Sequence, residues 1–101
     1  MDMLKRIKGL IVRRQYRFSD KAADELAADG LEEADILESI LNADRIKKTM
    51  RSFVQPGEKL YVFEGPNYHG TLIYSKGKIT REAGEEIFYV LISSKRSRRS
   101  G

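Results

Sequence analysis

Tyr74, Lys76 and Lys78 alternate with Ile73, Ser75 and Gly77, and in a regular strand alternate side chains leave the same face. That face would be basic and aromatic. Earlier in the same half, Lys48 and Met50 share one side of an extended stretch, with Lys47, Thr49 and Arg51 on the other. Further on, Tyr89, Leu91, Ser93 and Lys95 fall on one side and Phe88, Val90 and Ile92 on the other, which offers an apolar side for packing. A sheet surface of this kind suits single-stranded RNA, because phosphates meet cations and unstacked bases lie on rings. The run Lys95-Arg96-Ser97-Arg98-Arg99 would add salt-dependent phosphate affinity.

The same residue types can cleave RNA without a metal. The 2′-hydroxyl attacks the neighbouring phosphorus while a base takes its proton. Cations hold the charge that builds on the phosphate oxygens, and an acid protonates the departing 5′ oxygen. Lysine can join in proton transfer only when its surroundings help, and neighbouring cations make its proton easier to lose. Plainer uses exist for each group. Strand lysines discourage edge pairing, Tyr74 and Tyr89 suit half-buried sheet positions, and His69 sits in a turn sequence, Pro66-Asn67-Tyr68-His69-Gly70.

Other chemistries are closed off by composition. The chain has no cysteine and one histidine, which excludes disulfides, thiol catalysis, cysteine-ligated zinc and histidine-rich metal sites. It has no Gly-rich phosphate loop, so neither metal nor cofactor is expected. Net charge is +4, unevenly spread. Residues 1–17 hold six basic side chains against Asp2; residues 18–46 hold nine acids against Lys21 and Arg45; residues 47–101 hold eleven basic and five acidic side chains. The chain is basic, acidic, basic, a pattern that points to a local patch for a polyanion.

The elements that must position these residues divide the chain in two. Asp2 to Gln15 reads as a helix on Leu4, Ile7, Leu10 and Ile11. Ser19 caps a second helix through Ala28, with Gly30 closing it, and Leu31–Asn42 forms a third on Ile36, Leu37, Ile40 and Leu41. From Lys47 the period shortens towards two, giving strands near 48–54, 59–64, 71–79 and 86–94, with Arg81–Glu86 as a polar loop. The short turns imply antiparallel neighbours. The expectation is an α+β fold, N-terminal helices packed on one face of a four-stranded, mainly antiparallel sheet. At 101 residues it is expected to be one domain over 1–95, with a basic disordered tail at 96–101. Charges throughout Met1–Lys8 and the lack of a long apolar run point to a cytoplasmic protein that meets no membrane.

Taken in order, seven segments resemble the MqsR-type toxins of bacterial toxin–antitoxin pairs: Tyr16–Ala22, Asp29–Leu31, Asp35-Ile36 with Ile40-Leu41, Lys48–Met50, Leu60–Phe63, Leu72–Lys76 and Val90–Lys95. The likeness spans roughly residues 14 to 95 and rests on order and spacing together. It implies a RelE-like fold and a metal-independent endoribonuclease, an mRNA interferase, that halts translation by cutting messenger RNA. It also implies restraint by a cognate antitoxin protein encoded by a neighbouring gene. By position, Lys48, Tyr74 and Lys95 match the family's catalytic residues and Lys76 a common strand lysine; Arg51, Lys78 and Arg96 would add RNA contacts. Ser94 stands where the family carries an aromatic, and no glutamine stands on the second strand. The rival expectation is a module that binds RNA or protein through the same basic sheet without cleaving.

Overall fold

The structure, a computed structural model, describes residues 2–95. Element order is α1 (Met3–Val12), β1 (Tyr16–Phe18), α2 (Asp20–Ala28), α3 (Glu33–Asn42), β2 (Lys48–Arg51), β3 (Lys59–Pro66), β4 (Leu72–Glu82) and β5 (Glu85–Lys95). The tail 96–101, and Arg96 with it, lies outside the described residues. Caps set the helix boundaries. Ser19 Oγ accepts from the Ala22 N–H at 3.0 Å, occupying one of the free amides that every helix start leaves. At the far end of α2, Gly30 N–H donates to Ala27 O and Leu31 N–H to Leu26 O, the paired closure that satisfies the last carbonyls. α1 stops at Val12 rather than Gln15, because Arg14 takes a left-handed backbone (φ 64°) and turns the chain into a strand.

The class is α+β, but among the described residues the sheet has five strands in the order β1-β5-β4-β3-β2. The expected four-stranded antiparallel sheet is corrected by β1, which runs parallel to β5 with Tyr16 opposite Phe88 and Phe18 opposite Val90. Three residues between two helices are too few to show a period of two. The strand exists through its pairing: Phe88 N–H reaches Gln15 O and Ser19 N–H reaches Val90 O, both at 2.9 Å.

Among the described residues, helices cover one face only. Ile7, Leu10, Ile36 and Ile40 from the helices meet Phe63, Ile73, Phe88 and Val90 from the sheet, all at 1 % exposure or less. Phe63 and Phe88 pack edge to face at 6.0 Å, and truncating either would cost about 3–5 kcal/mol. Ser39 Oγ, buried in α3, donates to Gly65 O at 2.8 Å and so ties that helix to β3.

Two departures in the last hairpin bear on the site. The expected loop Arg81–Glu86 is instead strand up to a two-residue turn, Ala83-Gly84, with φ of 52° and 82°. Positive φ at both central residues matches the twist of the flanking strands. Within the hairpin, Lys76 pairs with Ile92 but Gly77 pairs with Val90, leaving Leu91 as an extra residue on β5. Such a bulge reverses which face the following side chains take. Gly77 lies beside it because a Cβ there would come within 2.6 Å of Phe88 Cζ and Tyr89 O.

Beyond Val90, β5 has no strand on its outer side among the described residues, and acids of α2 and its C-cap take over. Glu25 Oε1 accepts from Ser93 N–H at 3.0 Å, and Asp29 Oδ2 accepts from Lys95 N–H at 2.7 Å. Part of the acidic block thus closes a sheet edge. Among the described residues, no helix is long and apolar enough to cross a membrane.

Candidate nucleic-acid interface

Paired residues on neighbouring strands point to the same side of a sheet, so the register maps the face that the helices leave open. One row runs Lys48, Val62, Lys76, Ile92. The row on one side is Glu64, Tyr74, Ser94; on the other it is Met50, Leu60, followed across the sheet by Lys78, Tyr89 and Arg17. Lys48, Tyr74, Lys76 and Lys78 therefore do share a face. Lys48 and Lys76 are two strand spacings apart, roughly 10 Å at the backbone.

Their electrostatic states differ. Lys78 Nζ is held by Glu58 at 2.9 Å and lies 6.0 Å from the Tyr89 ring centre, with both ionic side chains about one-fifth exposed. Its charge is already answered. Arg17 pairs with Glu82, Nε to Oε2 at 2.6 Å, and its proton is held more firmly than usual by the Glu82 hydrogen bond and then by that carboxylate's charge. Lys48 and Lys76 have no ion-pair partner among the described residues. They are the cations on this face that a phosphate can claim without breaking a salt bridge.

Lys95 is elsewhere. It pairs with Ile73, which is fully buried beneath the helices, so its side chain departs on the helix side. The alternation that placed Tyr89, Leu91, Ser93 and Lys95 together fails at the Leu91 bulge: Tyr89 and Ile92 take the open face, Ser93 and Lys95 the other. Lys95 instead lines a cleft of about 420 Å³ with Asp29, Glu32, Asp35 and His69. Arg51 also turns away, since it follows Met50 and pairs with Lys59 at the end of β2. His69 serves its turn, its N–H donating to Asn67 Oδ1 at 2.9 Å.

One open-face residue escaped the sequence reading. Glu64, directly across from Tyr74, brings a carboxylate beside the ring, and Lys47 Nζ approaches its Oε1 to 2.5 Å. A cleft of about 400 Å³ lined by Asp44, Arg45, Lys47 and Glu64 opens at this corner. Strand parity alone would have found Glu64, had β3 been registered against β4. The face thus holds two unpaired ammonium groups, a phenol and a carboxylate, the kinds of group that bind a phosphodiester and move protons around it. Among the described residues, no three or more His, Cys, Asp or Glu side chains are grouped so that they could hold a metal ion.

No protein-family model matches the chain. Comparison with curated proteins and with solved structures likewise gives no match.

Proposed function

We propose that this chain is a metal-independent endoribonuclease toxin that cuts messenger RNA and so stops translation, as its segment order and its resemblance to the MqsR-type toxins imply. The observation that carries the proposal is the gathering of Lys48, Tyr74 and Lys76 on one open sheet face with Glu64 beside them. In this reading Lys76, next to Tyr74 on β4, holds the non-bridging oxygens of the scissile phosphate, and Lys48 holds the adjoining phosphate. Glu64, steadied by Lys47, receives the 2′-hydroxyl proton; Tyr74 orients the nucleotide and donates to the 5′ oxygen. The 2′ oxygen bonds to phosphorus as the bond to the 5′ oxygen breaks, leaving a cyclic phosphate and a 5′-hydroxyl. The cytoplasm is where the substrate is, and the partner is an antitoxin protein encoded by a neighbouring gene.

The test is induction of the chain alone in a bacterial host, following growth and the integrity of total messenger RNA beside the Lys48→Ala/Lys76→Ala variant. Arrest with cleaved messages that needs the lysines is the expected outcome. Normal growth and intact RNA from folded protein would sink the enzymatic reading.

The position of Lys95 favours a second reading. One of three residues matched to the family's catalytic set lies on the opposite side of the sheet from the other two. A module that binds single-stranded RNA through the open face and leaves it uncut needs only the lysines and rings.

A further inference from the structure

The loop between β2 and β3 presents two apolar side chains wholly to solvent: Phe53 is 101 % exposed and Val54 91 %. This is not slack chain. Ser52 Oγ accepts from the N–H groups of Val54 and Gln55 at 3.1 and 3.2 Å, and Ser52 N–H donates to Glu58 O at 2.9 Å. The loop is closed on itself, and its closure holds the ring out of the core.

Phe53 does not stand over empty surface. With Val54, Leu60, Lys78 and Leu91 it lines a trough of about 300 Å³, near the lower end of the roughly 300–1,000 Å³ typical of small-ligand pockets. The bulge contributes here too, because it is the extra residue, Leu91, that reaches this wall. Leu60 and Lys78 are each two residues along their strands from Val62 and Lys76, so the trough begins one row, about 7 Å, from the unpaired lysines. The charged wall is quenched by the Lys78–Glu58 pair. An apolar slot with a free ring, next to two unanswered cations, fits a ligand that alternates flat apolar groups with single negative charges.

We propose that Phe53 is a stacking platform for one base of a single-stranded RNA whose adjoining phosphates are held by Lys48 and Lys76. The inference rests on reading the open face as an RNA surface and adds where the neighbouring base goes. Stacking on an aromatic ring tolerates any base, so Phe53 supplies affinity and register rather than sequence choice.

The experiment compares wild type, Phe53→Ala and Phe53→Tyr for binding to a labelled 2′-O-methyl RNA ten-mer, which cannot be cleaved by its own 2′ oxygen, and to the same backbone without bases. Phe53→Ala is expected to weaken binding of the base-bearing strand roughly ten-fold or more, with abasic binding unchanged and Phe53→Tyr close to wild type. An exposed ring contributes little to the fold, so thermal melts should coincide. Equal affinity of wild type and Phe53→Ala for the base-bearing strand overturns the inference and leaves the RNA surface standing. Equal losses for both strands also overturn it, since the ring would then shape the loop rather than meet a base. A wild-type chain that binds neither strand removes the RNA surface itself, and an apolar protein partner then becomes the occupant to seek.

Discussion

Lys48 and Lys76 flank Val62 from opposite sides in a single row across the open sheet face, and Val62 is only 3 % exposed although no helix covers it. The aliphatic stems of long cationic side chains can cover an apolar neighbour while their heads stay in water. Each lysine belongs to a different strand, and the row places one on either side of Val62.

The first prediction concerns salt. For single-stranded RNA each neutralised phosphate adds about 0.7 to the slope of log affinity against log salt. Lys48→Ala and Lys76→Ala should each lower that slope by about this amount. Arg51→Ala, on the other side of β2, should leave it unchanged. A slope that ignores both lysines would take the phosphate off this row.

The second separates binding from cleavage. Glu64→Gln removes a proton acceptor of nearly the same shape, and cleavage should fall by roughly 100-fold or more. Affinity for uncleavable RNA should hold or rise, because a negative charge has left the surface. Unchanged cleavage in the well-folded variant would assign the base elsewhere.

The third uses Lys95 as a control drawn from the bulge. Because Lys95 leaves the sheet on the helix side, Lys95→Ala should retain RNA affinity and any growth arrest. If arrest disappears while RNA binding and stability are kept, the RNA path must wrap around the end of β5.

A fourth tests the hairpin itself. Gly77→Ala forces a Cβ against Phe88 and the Tyr89 carbonyl and should cost about 1–3 kcal/mol in denaturant unfolding. Ala83→Gly should do the reverse, gaining about 0.5–1 kcal/mol, since Ala83 occupies a left-handed backbone that disfavours a side chain. A neutral result at Gly77 would mean that the bulge relaxes easily.

How much of this was legible varied with the range of the interaction involved. Ser19, Gly30 and the apolar stripes mark the helices through local contacts, and alternation in Leu72–Ile79 places Tyr74, Lys76 and Lys78 on one side. The bulge was not legible, because Leu91 looks like any other apolar strand residue until it is set against Gly77. That single unread residue moved Lys95 to the wrong face. Glu64 escaped for a related reason: its meaning comes from Tyr74 opposite, and a cross-strand neighbour has no signature in either segment alone.

The Ala83-Gly84 turn also carries a consequence in time. It joins two eleven-residue strands that pair down to Ile73 and Lys95, so most of the sheet's contacts between these two strands are close in sequence. Hairpins of this kind close in about 1–10 μs, whereas β1 can find β5 only after Tyr16 meets Phe88 across most of the chain. Assembly should therefore begin at the turn and finish at β1. Substitutions at Ala83 are expected to alter the folding rate, and those at Tyr16 chiefly the unfolding rate. On that order of events strands β4 and β5 are in register, with Tyr74 and Lys76 already on one face, before the chain's first strand has docked.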